Sequence, residues 1–286
     1  MHFLKSSSEL KNIIGECKDL VVLGNGPSLK VTPASFLNEK KIVGMNRIDK
    51  FIVENDLELF IYIFVTDNIE NKSWGLHWLD SLEKCSKISK YTLLSSDVVE
   101  FLNKSSDPKS KEILSRNIIV LECLIEPPLY SNNAVSKSSE SLSKSGTSIN
   151  LASQVAISLG VRDLTYCGVD LGWKKTSKNK QNDPNHYHSN YFARIDSGYI
   201  ENCRMHSVHD RLSVIYNNLD IKVKNFSPMS TVEVYDNYDF EGNIIYSGKY
   251  NHFSVLNRFL VMSYSEAKNS LKREIVRALR FLGFKK

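Results

Sequence analysis

Short apolar runs recur along the chain, and each stops at polar or glycine-rich residues. Leu20-Val21-Val22-Leu23 ends in Gly24-Asn25-Gly26-Pro27-Ser28, and Lys41-Ile42-Val43-Gly44-Met45 ends in Asn46-Arg47. Leu59-Phe60-Ile61-Tyr62-Ile63-Phe64-Val65 runs into Thr66-Asp67-Asn68. Further runs cover 117–121, 163–168 (followed by Val169-Asp170) and 221–226. Continuous apolar runs closed by turn residues read as strands covered on both faces. Between the later runs, Ile149, Val155, Ala156 and Leu159 recur at helical spacing and Gly160 follows, which predicts a helix over 148–159. Strands alternating with helices predict an α/β fold: a doubly wound, mostly parallel sheet with helices on both faces. The expected division is an α/β domain over 1–170 and 211–262, a smaller lid region over 171–210, and a C-terminal helix over 263–286.

Polar residues gather just after the apolar runs: Asn25 and Ser28, Asn46, Asp67 and Asn68, Asp170. In an open parallel sheet these are the carboxyl ends of the strands, where ligands bind. The same residue types also cap helices and make turns, and both uses remain open. Gly24-Asn25-Gly26-Pro27-Ser28 is neither GxGxxG nor a Walker A loop, but its glycines allow close approach of backbone N–H groups to a phosphate. Ser145-Gly146-Thr147-Ser148 opens the helix that runs on through Ile149 to Leu159, a start that presents unpaired N–H groups and the positive end of the helix dipole to an anion, with Lys144 beside it. N-capping alone explains the same residues.

Of seven His, four (His186, His188, His206, His209) lie within 24 positions. His186-Tyr187-His188 lacks HExxH spacing and has no Cys pair beside it, which argues against structural zinc. A loop histidine serving as general base is the chemical alternative, because an imidazole titrates near neutral pH. Asp67, at the end of a strand, is a candidate ligand for a hard cation such as Mg²⁺ or Mn²⁺ bridging a diphosphate.

Composition narrows the class. With 286 residues, 42% hydrophobic and 24% charged, the chain is too apolar for disorder, and no run approaches a membrane span. A net charge of +5 is too mild to imply nucleic acid. Five scattered Cys without a CxxC pair fit a reduced compartment, and the start of the chain has no secretory pattern, so a cytoplasmic protein is expected. The stretch from Ser265 carries Leu271, Ile275, Leu279 and Leu282 at helical spacing among seven Lys or Arg. That pattern suits a helix lying on the inner face of the cytoplasmic membrane, or one packed on the domain.

Taken in order, Gly24 to Leu29, Asn46, Ser145-Gly146, Leu159 to Asp170, His186 to Ser189 and Phe226-Ser227-Pro228 resemble the bacterial family 42 glycosyltransferases, which are sialyltransferases. They also resemble a wider GNGPSL-type set that includes 6-hydroxymethylpterin diphosphokinase-like proteins. The resemblance implies a Rossmann-like, GT-A-like fold and transfer of a CMP-linked, sialic-acid-like sugar to a bacterial surface glycan. It puts Asn25 and Asn46 on the nucleotide, Ser145 and Gly146 on the donor, and the base at His188 or His186. The chain departs from the family at Leu142, where an Arg is expected, and at Gly172, where a Tyr is expected. The resulting expectation is a glycosyltransferase with Gly24, Asn25, Gly26, Ser28, Asn46, Ser145, Gly146, Thr147 and Asp170 holding the donor. Its partners would be a nucleotide-sugar and a glycan or lipid-linked glycan, with no nucleic acid; self-association is left open. The alternatives are a Mg²⁺-dependent diphosphokinase using Asp67 and Asp170, and a nucleotide- or sugar-binding module without turnover.

Overall fold

The computed structural model describes residues 1–4, 6–65, 78–124, 142–143, 147–171, 186–187, 199–249, 251–258 and 260. From the N-terminus, β1 (His2–Phe3), α1 (Glu9–Ile14), β2 (Asp19–Leu23), a 3₁₀ turn (Pro27–Val31), α2 (Ala34–Leu37) and β3 (Ile42–Met45) come first. Next are α3 (Asp49–Glu54), β4 (Leu59–Phe64), α4 (Trp78–Lys87), β5 (Ser89–Ser95), α5 (Ser96–Lys104), α6 (Pro108–Leu114) and β6 (Ile118–Leu121). β7 (Cys123–Leu124), β8 (Leu142–Ser143), α7 (Ser148–Ser158), β9 (Asp163–Cys167) and α8 (Tyr199–Asn218) follow. β10 (Lys222–Asn225), β11 (Asp236–Tyr238) and β12 (Ile244–Tyr246) complete the strands.

Ten strands form one sheet in the order β1-β6-β5-β4-β3-β2-β9-β10-β11-β12. Every pairing in it is parallel except β11 with β12. Alternate residues of one strand feed two separate cores, as a sheet covered on both faces requires. Leu20 and Val22 of β2 pack with α1, α7 and α8, whereas Val21 and Leu23 pack with α2 to α6. The first core takes Leu151, Val155, Val208 and Leu212; the second takes Phe51, Leu82, Val98 and Ile113. Each such side chain, fully buried, contributes about 1.5–3 kcal/mol.

The six apolar runs are all strands of this sheet. The apolar pattern did not show β5 in the middle of the sheet, nor the short strands β1, β11 and β12 toward its edges. The sequence of β5, Ser89-Lys90-Tyr91-Thr92-Leu93-Leu94-Ser95, is polar at both ends, and α5 follows without a turn. Position 210, the expected edge of the lid region, falls inside α8.

Strand order reverses between β2 and β9. From β2 the chain builds outward through β3, β4, β5 and β6, then returns to β2's other side with β9 and β10. The loops leaving β2 and β9 therefore diverge from a common point, and a crevice opens at their carboxyl ends.

Candidate functional site

At the switch point the two loops bond to each other. Gly24 N–H donates to the Cys167 carbonyl (2.8 Å) and Gly26 N–H to the Gly168 carbonyl (2.8 Å). Ser28 N–H donates to Asp170 Oδ2 (2.7 Å), and Ser28 Oγ–H donates to Asp170 Oδ1. Glycine is required for the approach: a Cβ at Gly24 would overlap the Gly168 carbonyl oxygen, and one at Gly26 would overlap Asp170 Oδ2. Gly168 has φ +67, the left-handed region that favours glycine. The N–H groups of Gly24, Gly26 and Ser28 hold the β9 loop, so the glycines serve loop-to-loop packing here.

A third loop braces the pair. Val169 N–H donates to Ser227 Oγ (2.9 Å), Ser230 Oγ donates to the Val169 carbonyl (2.7 Å), and Thr231 N–H donates to the Asp170 carbonyl (2.8 Å). Met229 N–H donates to Ser28 Oγ (3.0 Å). The Phe226-Ser227-Pro228 stretch after β10 is thus part of the frame. Burial pushes the Asp170 carboxyl above the usual carboxylate range, and the two Ser28 bonds pull it back. Both of its oxygens are occupied by Ser28, so holding Mg²⁺ or Mn²⁺ would cost those bonds. Asp170 fits a structural tie better than a metal ligand. Asp67, the other candidate, lies outside the described residues, as do Ser145, Gly146 and His188. Among the described residues no three His, Cys, Asp or Glu side chains converge as a metal cage.

Asn25 and Asn46 carry the site across to β3 and α7. Asn25 Nδ2 donates to the Met45 carbonyl (2.9 Å), joining the β2 turn to the end of β3. Asn46 follows immediately with φ 49, a left-handed conformation that Asn tolerates better than most residues. Tyr62 OH donates to its carbonyl (2.6 Å), and Asn46 Nδ2 donates to Ser148 Oγ (2.7 Å). The start of α7 is thereby held at the mouth of β3. Thr147 is the N-cap of α7, its side chain accepting from Ile149 N–H (3.4 Å). That places the positive end of an 11-residue helix beside Asn46.

The histidine segment reaches the same place. Tyr187 N–H donates to the Asn25 carbonyl (2.7 Å), its ring packs edge-on against Phe51 (5.3 Å), and its hydroxyl donates to Glu54 Oε2 (2.5 Å). Burial, then the Glu54 carboxylate, push that hydroxyl up to about 12. His186, buried, adjoins this anchor. Tyr187 and Ser148 lie in the motifs read from sequence, but neither was given a role of its own there. The first was hidden by its two histidine neighbours, the second by a helix-start pattern in which Ser145 and Thr147 were equally good.

The other two histidines sit on α8. His209 is fully buried against Tyr166 and Tyr235, and burial holds it down at about 3. His206 Nε2 meets Thr231 Oγ1 (3.2 Å), and burial together with Arg258 lowers it to about 4. A separate cleft opens at the opposite edge of the sheet, at the amino ends of β2, β9 and β10. Its lining mixes lysines, Lys40 and Lys222 among them, with acids such as Asp19 and Asp163, and it holds none of the site residues described above.

No protein-family model matches the chain. Over 103 residues, 36% of the chain, it is 27% identical to a probable 3-deoxy-manno-octulosonic acid transferase of Escherichia coli K12. The chain spans about a third (33%) of the length of that curated relative. Among solved structures it is similar to the MAf glycosyltransferase of Magnetospirillum magneticum AMB-1, with TM-score 0.47 and 14% identity over 91% of this chain and 41% of that one. It is also similar to a form of the alpha-2,3/8-sialyltransferase CstII (TM-score 0.41, 14% identity, 82% and 93% of the two chains). A third similar structure is sialyltransferase CstII from Campylobacter jejuni with cytidine-5'-monophosphate (TM-score 0.32, 12% identity, 76% and 83%).

Proposed function

We propose that this chain is a glycosyltransferase that binds a nucleotide-linked sugar at the mouth of β2, β3 and β9 and passes the sugar to a hydroxyl of a glycan or lipid-linked glycan. One observation carries the proposal: Asn25, Asn46, the start of α7 and the His186-Tyr187 segment converge on one end of the sheet through direct hydrogen bonds. Support also comes from the similarity to a relative whose name contains an acidic sugar. An acidic, CMP-linked donor is therefore the first to test.

In the proposed reaction the acceptor oxygen attacks the anomeric carbon, and the bond from that carbon to the nucleotide phosphate oxygen breaks. The electron pair leaves with the phosphate, and the acceptor proton passes to a histidine of the 186–188 segment. The leaving phosphate gathers negative charge as the bond breaks, and the positive end of α7 with the Thr147 and Ser148 hydroxyls would stabilise it there. Asn25 and Asn46 orient the nucleotide.

Calorimetry with CMP, UDP, GDP and ATP, each with and without Mg²⁺, tests the reading. CMP binding without metal is the expected result; binding of ATP only with Mg²⁺ would replace glycosyl by phosphoryl transfer, and silence from all four would end the nucleotide reading. With a donor in hand, His186→Ala and His188→Ala separate the base from its neighbour. Loss of the base lowers turnover by about 10²–10⁴-fold and leaves nucleotide affinity nearly intact. If both variants turn over at the native rate, the base lies elsewhere.

A further inference from the structure

The last described helix wears its apolar side outward. Asn251 caps it: Asn251 Oδ1 accepts from Phe253 N–H (3.0 Å) and Ser254 N–H (3.1 Å), and Val255 N–H bonds the Asn251 carbonyl (3.0 Å). The helix covers 252–258 and 260. Phe253, Leu256 and Leu260 are 79%, 54% and 56% exposed. Their spacings of three and four residues put them on one helical face. Arg258 points the other way. Its guanidinium makes a bidentate pair with Asp210 of α8 (2.7 and 3.0 Å), where the Asp210 side chain is only 4% exposed. The face that meets the protein is thus held by a buried ion pair, and the face that meets solvent is aromatic and aliphatic. That is the reverse of a helix packed on its own domain.

We infer that this outward face docks on an anionic lipid surface. The charge of the chain that follows selects that occupant. Residues 265–286 hold seven Lys or Arg against two Glu, an excess of five positive charges. An apolar helical face continued by a basic segment is the composition that binds the boundary between headgroups and acyl chains. A second copy of this chain is the poorer fit. Each copy carries a net charge of +5, so a second copy offers the basic segment no complementary charge. No described helix is long and apolar enough to cross a membrane, so the contact is with the surface. The inference is independent of the proposed transfer reaction, and its test reads neither nucleotide binding nor turnover.

Flotation of the full chain with vesicles decides it. One set contains phosphatidylcholine alone, the other equal parts phosphatidylcholine and phosphatidylglycerol. The native chain should float with the anionic vesicles and not with the neutral ones. The triple substitution Phe253→Ser, Leu256→Ser and Leu260→Ser should weaken anionic binding by about tenfold or more, since each side chain loses its apolar burial. These side chains are exposed, so the variant should keep the native circular dichroism and melting temperature. Phe253→Trp adds a direct readout: its emission should shift to the blue on anionic vesicles and stay unshifted without them. Three results would overturn the inference: no flotation of the native chain, undiminished flotation of the triple variant, or a native dimer in sedimentation that the triple variant turns into monomers.

Discussion

Gly26 has a packing role that its sequence pattern does not specify. Two glycines around an Asn after a strand read as a phosphate turn, yet here they let two protein loops touch. Gly26 N–H bonds Gly168, and a Cβ in its place would overlap Asp170 Oδ2 and lie 2.6 Å from the Gly168 carbonyl oxygen. Those atoms are backbone or a carboxylate already held by Ser28, so they have little room to yield. Gly26→Ala should therefore destabilise the fold by about 2–4 kcal/mol, combining overpacking with a weakened Ser28–Asp170 tie. Urea unfolding measures it, and a midpoint equal to that of the native chain would refute this role for the glycine. Asn46 makes a different point at the same scale. Its left-handed φ, its carbonyl bond from Tyr62 and its amide bond to Ser148 leave it more constrained than a pendant ligand residue would be.

Elements are joined here by polar ties, and the pair Arg258–Asp210 links α8 to the 252–258 helix. Arg258 forks onto Asp210 with side-chain exposures of 15% and 4%. Burial raises the Asp210 carboxyl and the Arg258 bonds lower it, so the guanidinium partly offsets the desolvation of the acid. Removing one partner of such a pair strands the other. Arg258→Ala should lower stability by about 3 kcal/mol and release the helix from α8. Hydrogen exchange reads the local effect: amides of Val255 and its neighbours should exchange faster while those of β2 and β9 keep their rank order. Equal protection in the variant would show that something other than the ion pair seats the helix. Because Phe253, Leu256 and Leu260 lie on the opposite face, this change tests attachment, and the serine substitutions test docking.

At the scale of the whole molecule, two histidines of α8, His209 buried and His206 partly buried, contribute to the response to acid. The ordinary imidazole value is 6.5; burial, with His206 as its neighbour, lowers His209 to about 3, and burial with Arg258 lowers His206 to about 4. Both are therefore neutral in the fold at pH 5 while their unfolded counterparts are charged. The stability they contribute is present above pH 6.5 and is lost as pH falls from 6.5 toward 4 for His206 and toward 3 for His209. Between pH 7 and pH 5 the loss is about 2 kcal/mol for each histidine. Asp170 and Asp210, whose carboxyls are raised, act in the opposite sense. His209→Asn isolates one contribution by removing a titrating group whose Nε2 has no hydrogen-bond partner among the described residues. The variant's unfolding free energy should vary less between pH 7 and pH 5, by about 2 kcal/mol. An unchanged slope would mean that His209 is charged in the fold or is not a source of the acid response.

The parallel sheet was legible in the chain itself, because a strand buried on both faces has to be apolar throughout and has to stop at turn residues. Leu20 to Leu23 and Leu59 to Phe64 announce themselves in that way, and α7 shows itself by its helical spacing and by Gly160 at φ +79 just after it. β5 did not, because two of its four buried positions are the polar Thr92 and Ser95 and it runs straight into a helix. The sequence also marked Asn25, Asn46, Asp170 and His186 as residues after strands or in a polar loop, but it could not say which bind outward and which bind each other. That is a matter of pairing at long range. Ser28 meets Asp170 across 142 positions and Asn46 meets Ser148 across 102, and only the reversal of strand order between β2 and β9 brings such partners within hydrogen-bond reach. The outward face of the 252–258 helix was decided in the same way. Its apolar spacing is local, but which side faces solvent follows from where Arg258 finds Asp210.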